Sequence, residues 1–114
     1  MGELKQEIAD AIGRKPAPIG IDEKTIKHII KKHSTEMNLK NRQYVIRYIK
    51  RVINNVNVVV NGDCDALVLI RLRNVSDMSV ITLVPEATNN MYRVKTAFRS
   101  CAEYGDDKDL LWIK

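Results

Sequence analysis

The hydrophobic period of this chain changes at Asn54-Asn55, and that change constrains the fold more than any other feature. Upstream, "NRQYVIRYIKRVIN" places Val45, Ile46, Ile49, Val52 and Ile53 on one side at helical spacing, with Arg42, Arg47, Lys50 and Arg51 decorating the rest. This predicts a helix over 41–53. Downstream, "VNVVV" is β-branched and runs into the turn signal "NGDCD". "ALVLIRLR", "MSVITLVP" and "NMYRVKTAFRS" follow, separated by "NVSD" and "EATNN". The four segments predict strands at 56–60, 66–73, 78–84 and 91–99, and "DLLWIK" adds a short edge strand or docks on the core. Helices first and a meander afterwards is an α+β pattern: N-terminal helices packed on an antiparallel sheet of four to five strands.

Two more helices precede the change. Leu4, Ile8, Ala11 and Ile12 form a stripe over 3–12, with Gly13 as terminator. "RKPAPIG" is a connector that cannot continue a helix. The next helix, 22–33, has Asp22 as N-cap and Ile21 and Ile26 at the hydrophobic-staple positions; Ser34, Thr35 and Asn38 then break its pattern. Residues 1–114 are read as one domain, long enough to bury a core without metal or disulfide staples. Cys64 and Cys101 lack metal-ligand spacing and neither require nor exclude a disulfide. No apolar run reaches the roughly 18 residues of a membrane span. "MGELKQEIAD" has no apolar h-region, so no signal peptide is expected.

Charge is unevenly distributed. From Arg14 to Arg51 there are eleven Lys/Arg against three acids, an excess of eight, whereas the net charge of the whole chain is +5. Such a segment suits a polyanion, because Lys/Arg–phosphate contacts release condensed counterions. It equally suits a solvated helix face.

The only histidines, His28 and His33, lie in "TIKHIIKKHS". At about 100° per residue, His33 falls within the stripe of Ile26, Ile29 and Ile30, at the helix end. His28 falls opposite, among Lys24, Lys31 and Lys32, as an exposed residue of a cationic face. His33 is either a core histidine satisfied by a backbone partner or an acid–base group at the rim of the core. In "MYRVKTAFRS", period-two alternation puts Tyr92, Val94, Thr96 and Phe98 on one face and Arg93, Lys95, Ala97 and Arg99 on the other. Arg71 and Arg73 share a face with Leu67 and Leu69. These cations form either a solvated, edge-protecting face or a phosphate-binding one.

A helix ending in "HIIKKH", a basic helix, four short strands and then "YRVKTAFRS" resembles the barnase/EndoU/colicin tRNase/RelE-like superfamily of small ribonucleases. The likeness is closest to toxin domains of phage head-associated proteins and contact-dependent inhibition effectors, and spans about Ile21 to Ser100. It implies a metal-independent endoribonuclease toxin without cofactor. The ribose 2′-OH attacks its own phosphodiester and leaves a 2′,3′-cyclic phosphate, in tRNA or another structured RNA. By position, His33 matches the helix histidine as general acid or base, with Lys95, Thr96, Arg93 and Arg71 in the catalytic group. Arg73, Tyr92, Arg99, Lys32 and Arg47 would contact substrate.

The match has departures. EndoU-type sites use two histidines, and His28 points away from His33; barnase-type sites use a glutamate base, for which Glu86 is the nearby candidate. The resemblance also implies a cognate immunity protein with an acidic face. It implies action in the bacterial cytoplasm and delivery as the C-terminal part of a larger effector. The competing readings are a non-catalytic RNA-binding module and a phage- or effector-associated interaction module. The first of these fits poorly with an aromatic content of 5%, since single-strand binders display stacking platforms.

Overall fold

The computed structural model describes residues 2–37, 41–62, 65–74, 77–86, 90–100 and 110–114. In chain order these form β1 (Gly2–Glu3), α1 (Gln6–Ile12), β2 (Pro18–Gly20), α2 (Glu23–Met37), α3 (Arg42–Asn54), β3 (Val58–Asn61), β4 (Leu67–Asn74), β5 (Asp77–Glu86), β6 (Met91–Ser100) and β7 (Leu110–Ile113). The class is the expected α+β, but the sheet has seven strands in the order β1-β2-β6-β5-β4-β3-β7. It is also mixed rather than antiparallel throughout, because β2 runs parallel to β6.

Of the strands beyond the expected four, β2 arises where the Pro-rich connector was expected to be irregular, β1 precedes α1, and β7 is the short edge strand expected of "DLLWIK". Ile19 and Gly20 pair with Tyr92 and Arg93, while Pro18 pairs with Glu3 of β1. Proline is tolerated there because the pairing to β6 uses only the two residues after it. The same pairing shortens α1. The Leu4 N–H donates to the Ala17 carbonyl at 3.3 Å, so Leu4 joins the core ahead of the helix rather than in it. Ala9 is buried, and Ala11, expected in the stripe, is exposed. Gly13 ends α1 at φ 72°, the left-handed conformation that glycine adopts without a Cβ penalty.

Capping sets the other two helices. The Asp22 carboxylate accepts from the Thr25 N–H at 2.8 Å, and the Asn41 side chain accepts from the N–H groups of Gln43 and Tyr44 at 3.0 and 3.3 Å. The helix of α2 continues to Met37, past Ser34 and Thr35, which were expected to end it. All three helices contribute to one core. Ile8, Ile26, Ile29, Val45, Ile49 and Val52 meet Leu67, Leu69, Ile81, Leu83, Val94 and Ala97 from the sheet. Val60, Val68, Ile70, Met78 and Val80 form a second cluster on the opposite face, with Phe98 packed against it. The sheet is therefore apolar on both faces through its middle, and among the described residues most charged side chains stand toward strand ends and irregularities.

One device fixes where β4 leaves the core. Asn57 donates its amide to the Leu72 carbonyl and accepts the Leu72 N–H, both at 2.7 Å. Both backbone groups of Leu72, between Arg71 and Arg73, are thus held by one side chain.

Candidate functional site

Where the helix-facing residues of the central strands run out of core, their side chains become polar together. On β4, Leu67 and Leu69 are buried, and the same face continues with Arg71 and Arg73. On β5, Ser79 pairs with Arg71 on one side and Arg99 of β6 on the other. Tyr48, Arg51 and Val52 of α3 close the space above them. The result is a cleft of about 90 Å³ whose lining includes Arg51, Arg71, Arg73, Arg99, Tyr48, Ser79 and Asp77. Four guanidinium groups face one carboxylate, a local excess of three positive charges.

Asp77 organises two of them. Its Oδ1 accepts from Arg99 Nε at 3.0 Å, and its Oδ2 lies 3.8 Å from Arg73 Nη1. The Arg99 hydrogen bond holds the Asp77 carboxyl below the usual carboxylate range, reinforced by the charges of Arg99, Arg73 and Arg71. The same bond raises the Arg99 pKa further. The Tyr48 hydroxyl donates to the Phe98 carbonyl at 3.3 Å, tying α3 to β6. Guanidinium forks match phosphate oxygens in geometry as well as charge. A cleft so lined can hold a phosphodiester and stabilise the additional charge of a phosphorane.

Two β-bulges decide which cations enter this cleft. Leu72 pairs with Met78 and Asn74 with Asp77, leaving Arg73 as the extra residue of β4. Thr96 pairs with Thr82 and Val94 with Leu83, leaving Lys95 as the extra residue of β6. A bulge inserts one residue and so reverses the side-chain alternation beyond it. The uninterrupted alternation expected for β6 is corrected accordingly. Tyr92, Val94, Ala97 and Arg99 lie on the helix side, while Arg93, Thr96 and Phe98 lie on the outer face. Arg99 therefore joins Arg71 and Arg73, and Arg93 does not.

Arg93 has other partners. Its Nη2 is 2.7 Å from Glu86 Oε2, and its Nη1 is 3.3 Å from Asp22 Oδ2. The Asp22 carboxyl is held below its ordinary range, first by the hydrogen bond from the Thr25 backbone and then by Thr25's side chain and the charge of Arg93. Beside this network lies a second cavity of about 360 Å³, lined by Thr25, Val84, Pro85, Glu86, Arg93, Val94 and Lys95. Glu86, the carboxylate considered for a base, stands here and not in the arginine cleft.

Of the residues singled out from sequence, Arg71, Arg73 and Arg99 meet in the cleft, and Arg93 and Lys95 line the other cavity. Thr96 is half-buried on the outer face. Tyr92 is buried in the main core. Lys32 is exposed on α2, and Arg47 is exposed on α3 with its guanidinium 5.7 Å from the Tyr44 ring centroid. His28 is exposed, as its place among the lysines predicts. His33 belongs to α2, and its side chain lies outside the described residues. Tyr48, Arg51, Asp77 and Ser79 were missed. The one signal for them is the spacing of Tyr48, Arg51 and Val52, which places two polar side chains at the border of the apolar stripe of α3.

A cationic cleft at the end of an α+β sheet is a feature shared with nucleases, and comparison with known families gives a match over nearly the whole chain. The family model described as phage-Barnase-EndoU-ColicinE5/D-RelE like nuclease3 matches residues 1–103. The chain belongs to this family. The match confirms the superfamily resemblance read from the sequence, and it places all strands and helices except β7 within the nuclease-like unit. No curated protein and no solved structure matches the chain.

Proposed function

We propose that the protein is an endoribonuclease that seats the scissile phosphodiester of RNA in the arginine cleft. The observation that carries this reading is the convergence of Arg51, Arg71, Arg73 and Arg99, with an excess of three positive charges, on a nuclease-family fold. Phosphoryl transfer within RNA needs the ribose 2′-oxygen to attack phosphorus as the P–O5′ bond breaks. The products are a 2′,3′-cyclic phosphate and a free 5′-hydroxyl. The arginines would neutralise the phosphorane, with the Ser79 and Tyr48 hydroxyls in the same cleft. His33 is the proposed acid–base group, taking the 2′-proton or protonating the departing oxygen.

The wider reading is a toxin acting in the bacterial cytoplasm on tRNA or other structured RNA. Its proposed protective partner is an immunity protein whose acidic face covers the exposed cations of α2 and α3, among them Lys27, Lys31, Lys32, Arg47 and Lys50. The test is incubation of total RNA with the protein in EDTA, comparing wild type with His33→Ala, His28→Ala and Arg71→Gln. Cleavage to cyclic-phosphate ends, lost with His33→Ala and strongly reduced with Arg71→Gln but kept with His28→Ala, is the expected result. A folded wild type that cuts no RNA would overturn the proposal. Dependence on added divalent metal would reject the mechanism.

A further inference from the structure

The larger cavity, beside the bulge of β6 and the first turn of α2, has a chemistry that the arginine cleft lacks. Two interruptions of the sheet create it. The pairing of β2 with β6 stops at Gly20–Arg93, and β6 then bulges at Lys95. Thr25, in the first turn of α2, borders the space so opened. Its volume of about 360 Å³ falls in the range of small-molecule sites.

Val84, Pro85 and Val94 supply apolar walls. The polar groups are few and of both kinds: the Lys95 ammonium can donate, the Glu86 carboxylate accepts, and the Thr25 hydroxyl, whose proton goes to Asp22, can accept as well. Arg93 holds Glu86 at 2.7 Å, so that carboxylate has a fixed direction. Because Glu86 and Asp22 already balance Arg93, Lys95 faces a nearly neutral site rather than a cationic one. A phosphate entering here would meet the Glu86 carboxylate beside an arginine already engaged by it, and an aliphatic chain would cover the polar groups without pairing them. A flat heterocycle with N–H donors and ring acceptors along one edge answers both the walls and the rim.

We propose that this cavity binds a nucleobase of the RNA substrate, which gives the enzyme a preference for sequence away from the scissile phosphate. The proposal rests on the nuclease reading for the source of the base. Lys95 and Arg99 are four residues apart on one strand, about 13 Å at the rise of a β-strand, which is the spacing along β6 that a single-stranded segment would have to bridge.

The test begins with nucleosides, which carry no phosphate. Adenosine, guanosine, cytidine and uridine are titrated separately into wild-type protein while the methyl signals of Val84 and Val94 are followed by NMR. Saturable shifts at both residues for at least one nucleoside, unchanged between low and moderate salt, are expected. Glu86→Gln should weaken that nucleoside about tenfold, as loss of a hydrogen bond to a charged group does. Absence of shifts for all four nucleosides overturns the proposal, as does displacement of a bound nucleoside by inorganic phosphate. In a second arm, the cut sites made in a mixed-sequence RNA pool by wild type and Val84→Phe are compared. A flattened base preference at one position supports the proposal, and an unchanged preference refutes it. If wild type cuts no RNA, the nuclease reading fails, whereas the nucleoside titration still judges the cavity.

Discussion

Arg71 and Arg93 carry the same charge on neighbouring parts of one sheet, and the structure predicts that removing them has different consequences. Arg71 stands in a cleft with three uncompensated positive charges; Arg93 is already balanced by Glu86 and Asp22. Binding of single-stranded nucleic acid weakens with salt at a slope of about −0.7 per phosphate neutralised. Three effective charges give a slope near −2.1, an affinity loss of about 18-fold between about 50 and 200 mM salt. Arg71→Gln leaves two, with a slope near −1.4 and a loss of about 7-fold over the same range. Arg93→Gln should leave the wild-type slope nearly intact. Fluorescence anisotropy with a 2′-O-methyl oligoribonucleotide measures this without interference from cleavage. Equal slopes for wild type and Arg71→Gln would refute the cleft as the phosphate site. So would an Arg93→Gln slope reduced as much as that of Arg71→Gln.

Three further outcomes concern the scaffold. Asn41→Ala removes the acceptor of two N–H groups at the start of α3 and should cost about 1 kcal/mol in chemical denaturation, with the m-value unchanged. Ile29→Ala opens a cavity at a fully buried position between α2 and the sheet, with an expected loss of about 2–5 kcal/mol by the same measurement. Asp77 has a lower pKa folded than unfolded, so its stabilisation is present above the ordinary carboxylate range and disappears as pH falls through the folded value. The stability difference between wild type and Asp77→Asn, followed by thermal melting, should therefore shrink with acidification; a difference independent of pH would contradict the Arg99–Asp77 pairing.

The elements legible in the sequence were those in which periodicity and capping agree. The stripe of α3, the Asp22 cap and the glycine after α1 all act within a few residues of themselves, and each is found where local chemistry put it. What was illegible depends on partners distant in sequence. β2 exists because β6 offers it two backbone positions, some seventy residues later. The cleft joins residues from α3, β4, β5 and β6, so neither Ser79 nor Asp77 advertised itself beside the arginines it meets. Arg71, Arg73 and Arg99 were readable as cations on strands that needed a core. Their meeting on one face was not, because no feature of "MYRVKTAFRS" signals that Lys95 is the inserted residue.

That single inserted residue makes β6 serve two surfaces in succession. If Lys95 took a regular place in the ladder instead of bulging, the strand would carry Arg99 to the outer face and bring Phe98 to the helix side. The arginine cleft and the larger cavity thus both depend on how the strand accommodates Lys95 rather than on contact between them. Deleting Lys95 would remove the bulge and a lining residue of the larger cavity yet keep Arg99 on the helix side, and replacing Lys95 by another residue would likewise leave the parity of the strand intact. A relative with one residue fewer between the counterparts of Arg93 and Arg99 would therefore present the same two faces with no bulge at all.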